Sequence, residues 1–179
     1  MGNKRVKVGK YKTVFRGIIF DVQQAIAVFP SGGIKTFEQA IRPPSVTVLA
    51  FDIEGKLLLT REYRHKYRRY LWRLPSGRVG KNEDPRIAAQ RELREETGYK
   101  AKKLKLFHKT DMGQSLDWKR YTYLANGLIW APLKGDEDED ITVFPTTLDN
   151  VLKMVKQGKI ENESMAYLII KLALRKGIL

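Results

Sequence analysis

Residues 77–99, GRVGKNEDPRIAAQRELREETGY, constrain the chain more than any other stretch. Asp84 followed by Pro85 is a helix start: a side-chain oxygen to cap, then a ring whose missing N–H costs nothing there. Gly98 is a C-terminal stop, so the spacing predicts a helix of about three turns over residues 85–97. On a wheel turning about 100° per residue, Glu92, Glu95 and Glu96 share one flank, with Ala89 and Leu93 on the adjoining one. Glu92 and Glu96 lie one turn apart, where like charges destabilise an isolated helix slightly. Such repulsion is tolerable when a cation is set against it, and oxygen-only ligands suit Mg²⁺ or Mn²⁺ rather than zinc. Three glutamates alone also fit a solvated acidic face with Arg91 and Arg94 as ordinary neighbours.

The wider spacing decides between the two. Gly77, Glu83, Arg91, Glu92, Glu95, Glu96 and Gly98, with Leu93 and Tyr99 at the apolar positions, follow Gly-x5-Glu-x7-Arg-Glu-apolar-x-Glu-Glu-x-Gly-apolar. This is the Nudix box, and the chain resembles the Nudix hydrolases. The segments VTVLAFDIEGKLLLTREYR, LWRLPSGRV and EDEDITVFPTTLDNVLKMVKQGKIENESMAYLIIK are similar to the ADP-ribose pyrophosphatase branch, so the likeness covers about residues 11–174. It implies an α/β fold, the Nudix α/β/α sandwich with a mixed sheet. It also implies a small N-terminal antiparallel β unit that exchanges between two subunits of a homodimer.

A chain of 179 residues is long enough for one compact domain with its own core. It has no cysteine, which excludes disulfides and thiolate metal sites and fits a reducing cytoplasm. The basic N-terminus lacks the apolar run of a signal peptide, and no stretch is long and apolar enough to span a bilayer, so a soluble, cytoplasmic protein is expected. The net charge is +14, with basic clusters at Lys4 to Arg16, Arg61 to Arg73 and Lys100 to Lys109, against one acidic run at Asp136 to Asp140. Such a field attracts anions, whether phosphorylated small molecules or nucleic acid.

Along the chain, residues 1–10 are expected to form a flexible basic arm and residues 11–42 the N-terminal β unit, from TVFRGIIFDV, QAIAVFP and IKTFEQAI. Pro43-Pro44 marks the boundary to the Nudix domain, residues 43–179. There SVTVLAFD is a buried-strand candidate with KLLLTREYR as its hairpin partner. Strands are expected in LKLFHKT, KRYTYLANGLIW and ITVFP. A helix is expected from Thr147 to about Gln157, and a last one with Ala166, Ile169, Ile170 and Leu174 on its apolar face.

The resemblance implies metal-dependent hydrolysis of the pyrophosphate bond in a nucleoside diphosphate linked to another moiety. ADP-ribose, giving AMP and ribose 5-phosphate, or another nucleoside diphosphate sugar is the implied substrate. Carried over by position, Glu92 and Glu96 would be the principal ligands of Mg²⁺ or Mn²⁺, with Glu95 and the carbonyl of Ser76 contributing. Arg91 would brace the carboxylates, and Glu83 would belong to the same network or to an outer metal. Asp117, in DMGQSLDW, matches a catalytic glutamate of the branch, with Asp111 the alternative base. Arg64 matches a phosphate contact. Ile18 stands where the branch places a base-stacking aromatic, so Tyr11, Phe15 or Phe20 would substitute. His65 and His108 are expected to be exposed, and Trp72, Trp118 and Trp130 to be core or interface residues.

Three departures bear on the substrate. Relatives usually carry glutamate where Arg73 stands and alanine where Ser76 stands, and Met112 replaces a proline that marks ADP-ribose specificity. Arg64, Arg73 and Met112 are therefore the candidate substrate-contacting residues. The charge and Arg73 also motivate a second reading, a dinucleoside polyphosphate or capped-RNA pyrophosphohydrolase. A non-catalytic ligand sensor on the same fold is the third.

Overall fold

The computed structural model describes residues 5–113, 115–135 and 140–179. The first strands are β1 (Lys7–Val8), β2 (Lys12–Arg16), β3 (Asp21–Val28), β4 (Ile34–Ile41), β5 (Ser45–Ala50) and β6 (Leu57–Arg64). After β7 (Arg69–Arg73) and β8 (Ser76–Arg78) comes helix α1 (Pro85–Thr97). Next are β9 (Tyr99–Asp111), β10 (Leu116–Asp117), β11 (Lys119–Trp130) and β12 (Ile141–Thr146), then α2 (Leu148–Lys156) and α3 (Glu163–Arg175). The chain divides into two compact units, residues 1–44 with 110–120, and residues 45–109 with 121–179.

In the first unit, β3 pairs antiparallel with β1, β2 and β4, and β10 joins β4 in parallel. The structure adds three details to this unit. The described part of the expected flexible arm is not featureless, because Lys7 and Val8 pair with Val28 and Ala27. The expected strand TVFRGIIFDV is broken after Arg16, where Gly17 N donates to Phe20 O at 3.2 Å and a Cβ on Gly17 would lie 2.5 Å from that oxygen. Residues 110–120 pack with this unit, which sequence order could not show, because Leu116 and Asp117 pair with Ala40 and Ile41.

In the second unit, β5 sits between β8 and β11, with β9 beyond, while β6 lies between β12 and β7. The run SVTVLA feeds both faces of its sheet, which is why it is apolar almost throughout. Val46, Val48 and Ala50 join Leu58, Ala88, Ala89 and Leu93 in the core under α1. Leu49 and Phe51 join Leu57, Leu59, Val151, Leu168 and Ile169 in the core under α2 and α3. Helices on either side of strands with alternating faces make the layered α/β arrangement. The apolar face of α3 is Met165, Leu168, Ile169, Leu172 and Ala173, whereas Ile170 and Leu174 are exposed, so the expected face was rotated. No helix among the described residues is long and apolar enough to cross a membrane.

Candidate active site

α1 is fixed at both ends by the residues that the sequence marks. Asp84 Oδ1 accepts from Arg86 N at 2.8 Å, Pro85 follows, and Gly98 takes a left-handed φ of 77° with its N–H on Arg94 O. Only hydrogen fits at Gly98, because a Cβ there would lie 2.3 Å from the Trp130 ring.

Held in this way, the helix gathers its charged flank around one side chain. Arg91 Nε and Nη2 donate to the two oxygens of Glu83, each at 3.0 Å. Arg91 Nη1 donates to Glu92 Oε1 and Glu95 Oε2, each at 2.8 Å, and Nη2 also reaches Arg78 O at 2.9 Å. These are charge-assisted bonds, two of them in the parallel fork that a guanidinium and a carboxylate favour. Glu83 accepts as well from Gly80 N at 2.7 Å. The bond from Arg91, then the Gly80 N–H, hold the Glu83 carboxyl below the usual range, and Glu83 in turn raises Arg91 above that of a free arginine.

β8 presses its backbone onto the same carboxylates. Ser76 N donates to Glu96 Oε2 at 3.2 Å. A Cβ on Gly77 would fall 2.0 Å from Glu92 Cδ, so the glycine leaves the space that this carboxylate fills. The donors here are all oxygen and suit a hard divalent cation in type. Among the described residues no three carboxylates or imidazoles converge tightly enough to hold a metal ion, and Arg91 Nη1 stands between Glu92 and Glu95.

A second cluster lies on the β6–β7 hairpin. Thr60, Glu62 and Arg64 alternate onto one face, and Arg73 is the cross-strand partner of Thr60. Glu62 is buried, accepting from Thr60 Oγ1 at 2.7 Å and paired closely with Arg64 Nη2. Burial, then the neighbouring Arg64, make the half-buried Arg73 easier to deprotonate than a free arginine, while Glu62 and Glu96 act in the opposite sense. Arg73 therefore feels both the hairpin carboxylate and the helix flank. The sequence reading overlooked Glu62. Its signal was a carboxylate at period-two spacing between Thr60 and Arg64, following the apolar run Leu57 to Leu59.

Four further candidates belong to the first unit. Asp117 is half-buried on β10, and its carbonyl accepts from Arg42 N at 3.2 Å. Asp111 is exposed at the end of β9. Met112 is exposed, with its Sδ 3.8 Å from Arg120 Nη1. Ile18 is fully exposed beside a hollow of about 410 Å³ that is also lined by Phe20, Arg42 and Pro43. His65 is exposed as expected, but His108 is half-buried with Lys171 Nζ 2.9 Å from its Nδ1. Of the acidic run at 136–140, residues 136–139 lie outside the described residues, and Asp140 accepts from the Tyr70 hydroxyl.

Residues 41–162 match the NUDIX domain family. The ADP-ribose pyrophosphatase of Bacillus subtilis (strain 168) is 33% identical over 168 residues, covering 92% of this chain and 91% of that protein. A methanol dehydrogenase activator of Bacillus methanolicus is 29% identical over 176 residues, covering 96% and 95%. The crystal structure of an ADP compounds hydrolase superposes with a TM-score of 0.75 at 24% identity, covering 98% of each chain, which shows the fold. The resemblance and the mixed α/β fold expected from the sequence are both borne out. Members of this family generally use divalent metal ions. With the box complete, its arginine and three of its carboxylates on one helix, and the family match spanning most of the chain, this protein belongs to the NUDIX family and is a Nudix hydrolase.

Proposed function

We propose that the protein hydrolyses the pyrophosphate bond of a nucleoside diphosphate sugar, with ADP-ribose the first candidate and Mg²⁺ or Mn²⁺ as cofactor. The observation that carries this reading is the Arg91 network, which fixes Glu83, Glu92 and Glu95 beside the β8 backbone. The activity named for the Bacillus subtilis relative supports the substrate class. Glu92, Glu96 and the Ser76 carbonyl would hold the ion, with Glu95 contributing. Once bound, it would neutralise phosphate charge and lower the pKa of attacking water. Arg91 keeps the carboxylates in place. Arg64 and Arg73 bind phosphate oxygens, Met112 contributes to substrate selection, and Asp117 takes the proton of the attacking water.

A phosphate-release screen of nucleoside diphosphate sugars, dinucleoside polyphosphates and capped RNA, each with Mg²⁺ and Mn²⁺, tests the reading. Glu96→Gln is expected to lower kcat about a thousandfold, the scale of several kcal/mol of charge stabilisation. Asp117→Asn is expected to lower it about a hundredfold, and Asp111→Asn hardly at all. Unchanged turnover in folded Glu96→Gln would falsify the assignment, and preferred cleavage of capped RNA would replace the substrate class.

The N-terminal unit is proposed to form a homodimer. Phe15, Ile18, Phe20, Ile26 and Ile34 are exposed on it, more apolar surface than a lone small sheet normally leaves to water. Sedimentation at micromolar concentration should give twice the chain mass, and a monomer there would refute the proposal.

A further inference from the structure

Glu62 lies outside the Nudix box, yet it is a carboxylate only 4% exposed. Burying such a group is costly unless it is paired and hydrogen-bonded. Its two oxygens are used differently: one takes the hydroxyl of fully buried Thr60 at 2.7 Å, the other takes Arg64. The register sets Arg73 opposite Thr60, so Arg73 is the diagonal neighbour of Glu62. Among the described residues Arg73 makes no ion pair. Two guanidiniums thus share one carboxylate, which leaves this corner with an excess of positive charge.

We propose that Glu62 is a positioning residue: its buried carboxylate fixes Arg64 and offsets the repulsion that would drive Arg73 away, so that the two arginines form a clamp for the substrate's pyrophosphate. The identity of that ligand rests on the functional reading above. A guanidinium binds phosphate oxygens well only when its planar fork is oriented, and orientation is what a buried, doubly held partner supplies. Without Glu62 the arginines repel and turn to solvent. The pairing also gives a physical reason for arginine at position 73. The carboxylate of this corner is carried by β6, where it supports a cation across the hairpin.

The test uses the full-length protein and inorganic pyrophosphate, titrated calorimetrically in EDTA, beside kcat and KM for the best substrate of the screen. Glu62→Gln keeps the shape and an acceptor for Thr60 while removing the charge. It is expected to weaken pyrophosphate binding about tenfold, the scale of one charge-assisted hydrogen bond, and to raise KM by a similar factor with kcat changed less than about threefold. In an Arg64→Gln background the same change should add less than about twofold, because its effect passes through that arginine. Glu62→Asp, which restores the charge one methylene short, should recover part of the affinity. Unchanged pyrophosphate binding in a folded Glu62→Gln protein overturns the proposal. So does failure of both variants to fold, which would assign the carboxylate to stability alone. The titration needs no turnover, so it succeeds or fails separately from the substrate screen.

Discussion

The two charged clusters of the second unit are built in opposite senses. Beside α1, one guanidinium, Arg91, gathers the carboxylates of Glu83, Glu92 and Glu95. On β6 and β7, one carboxylate, Glu62, serves Arg64 directly and stands diagonal to Arg73. The first is short of positive charge and the second is short of negative charge. Neither excess favours folding by itself, since like charges held close cost free energy. The helix flank therefore suits a cation and the hairpin an anion. On the proposed reading, a pyrophosphate carried with a divalent ion would supply both. On that reading, the helix flank would hold the ion and the hairpin next to it in the fold of this unit would hold the substrate's phosphates.

The comparison breaks most visibly at Gly77. Replacing it with alanine would set a methyl group 2.0 Å from Glu92 Cδ. The obstructed atoms are the end of a flexible side chain, so Glu92 can swing aside, at the cost of its bond to Arg91 and its place over β8. Gly77→Ala is expected to lower kcat about a hundredfold, the upper end of the usual loss on disturbing an outer-shell partner, while Tm falls by less than about 4 °C. Steady-state kinetics and thermal unfolding of the same preparation decide it. A variant that keeps full kcat would show that the position of Glu92 is not needed for the chemistry. The hairpin cluster should be untouched, so its pyrophosphate affinity in EDTA should match that of the unaltered protein.

Much of the helix flank was legible in the sequence because every part of it is local. Asp84, Pro85 and Gly98 punctuate the helix, and Arg91 to Glu96 share its geometry by spacing alone. The hairpin was half legible. Arg64 and Arg73 stood out as charges, but their relation depends on cross-strand register, which Thr60 and Arg73 acquire only when β6 and β7 pair. Glu62 was overlooked because a glutamate in a basic stretch passes for a surface residue until the strand is seen to bury it. Residues 110–120 were illegible for a related reason. Their parallel pairing with β4 joins segments more than seventy positions apart, and no local signal encodes it. The end of TVFRGIIFDV failed differently, since β propensity ran through Gly17 while the chain turns there, with Gly17 N donating to Phe20 O in a space too tight for a Cβ.

The smallest expected effect sharpens the comparison at its structural end. Glu83 is the member of the Arg91 group that precedes the helix, held by the arginine fork and by Gly80 N, with its side chain only 18% exposed. Its folded pKa lies below the unfolded value of about 4.3, chiefly through the bond from Arg91. A depressed carboxylate stabilises the fold above its unfolded pKa, and that contribution is lost as the pH falls through the folded value. Glu83→Gln should therefore cost about 1–2 kcal/mol near neutral pH, or about 3–6 °C in Tm for a chain of this size. Measured in EDTA, the gap between the two proteins should be constant above about pH 5 and close as the pH falls well below 4.3. A gap that held its size at pH 3 would mean that Glu83 matters for its shape and not for its charge. Arg91 would then be braced by the two helix carboxylates alone, and the excess negative charge assigned to that flank would be smaller by one.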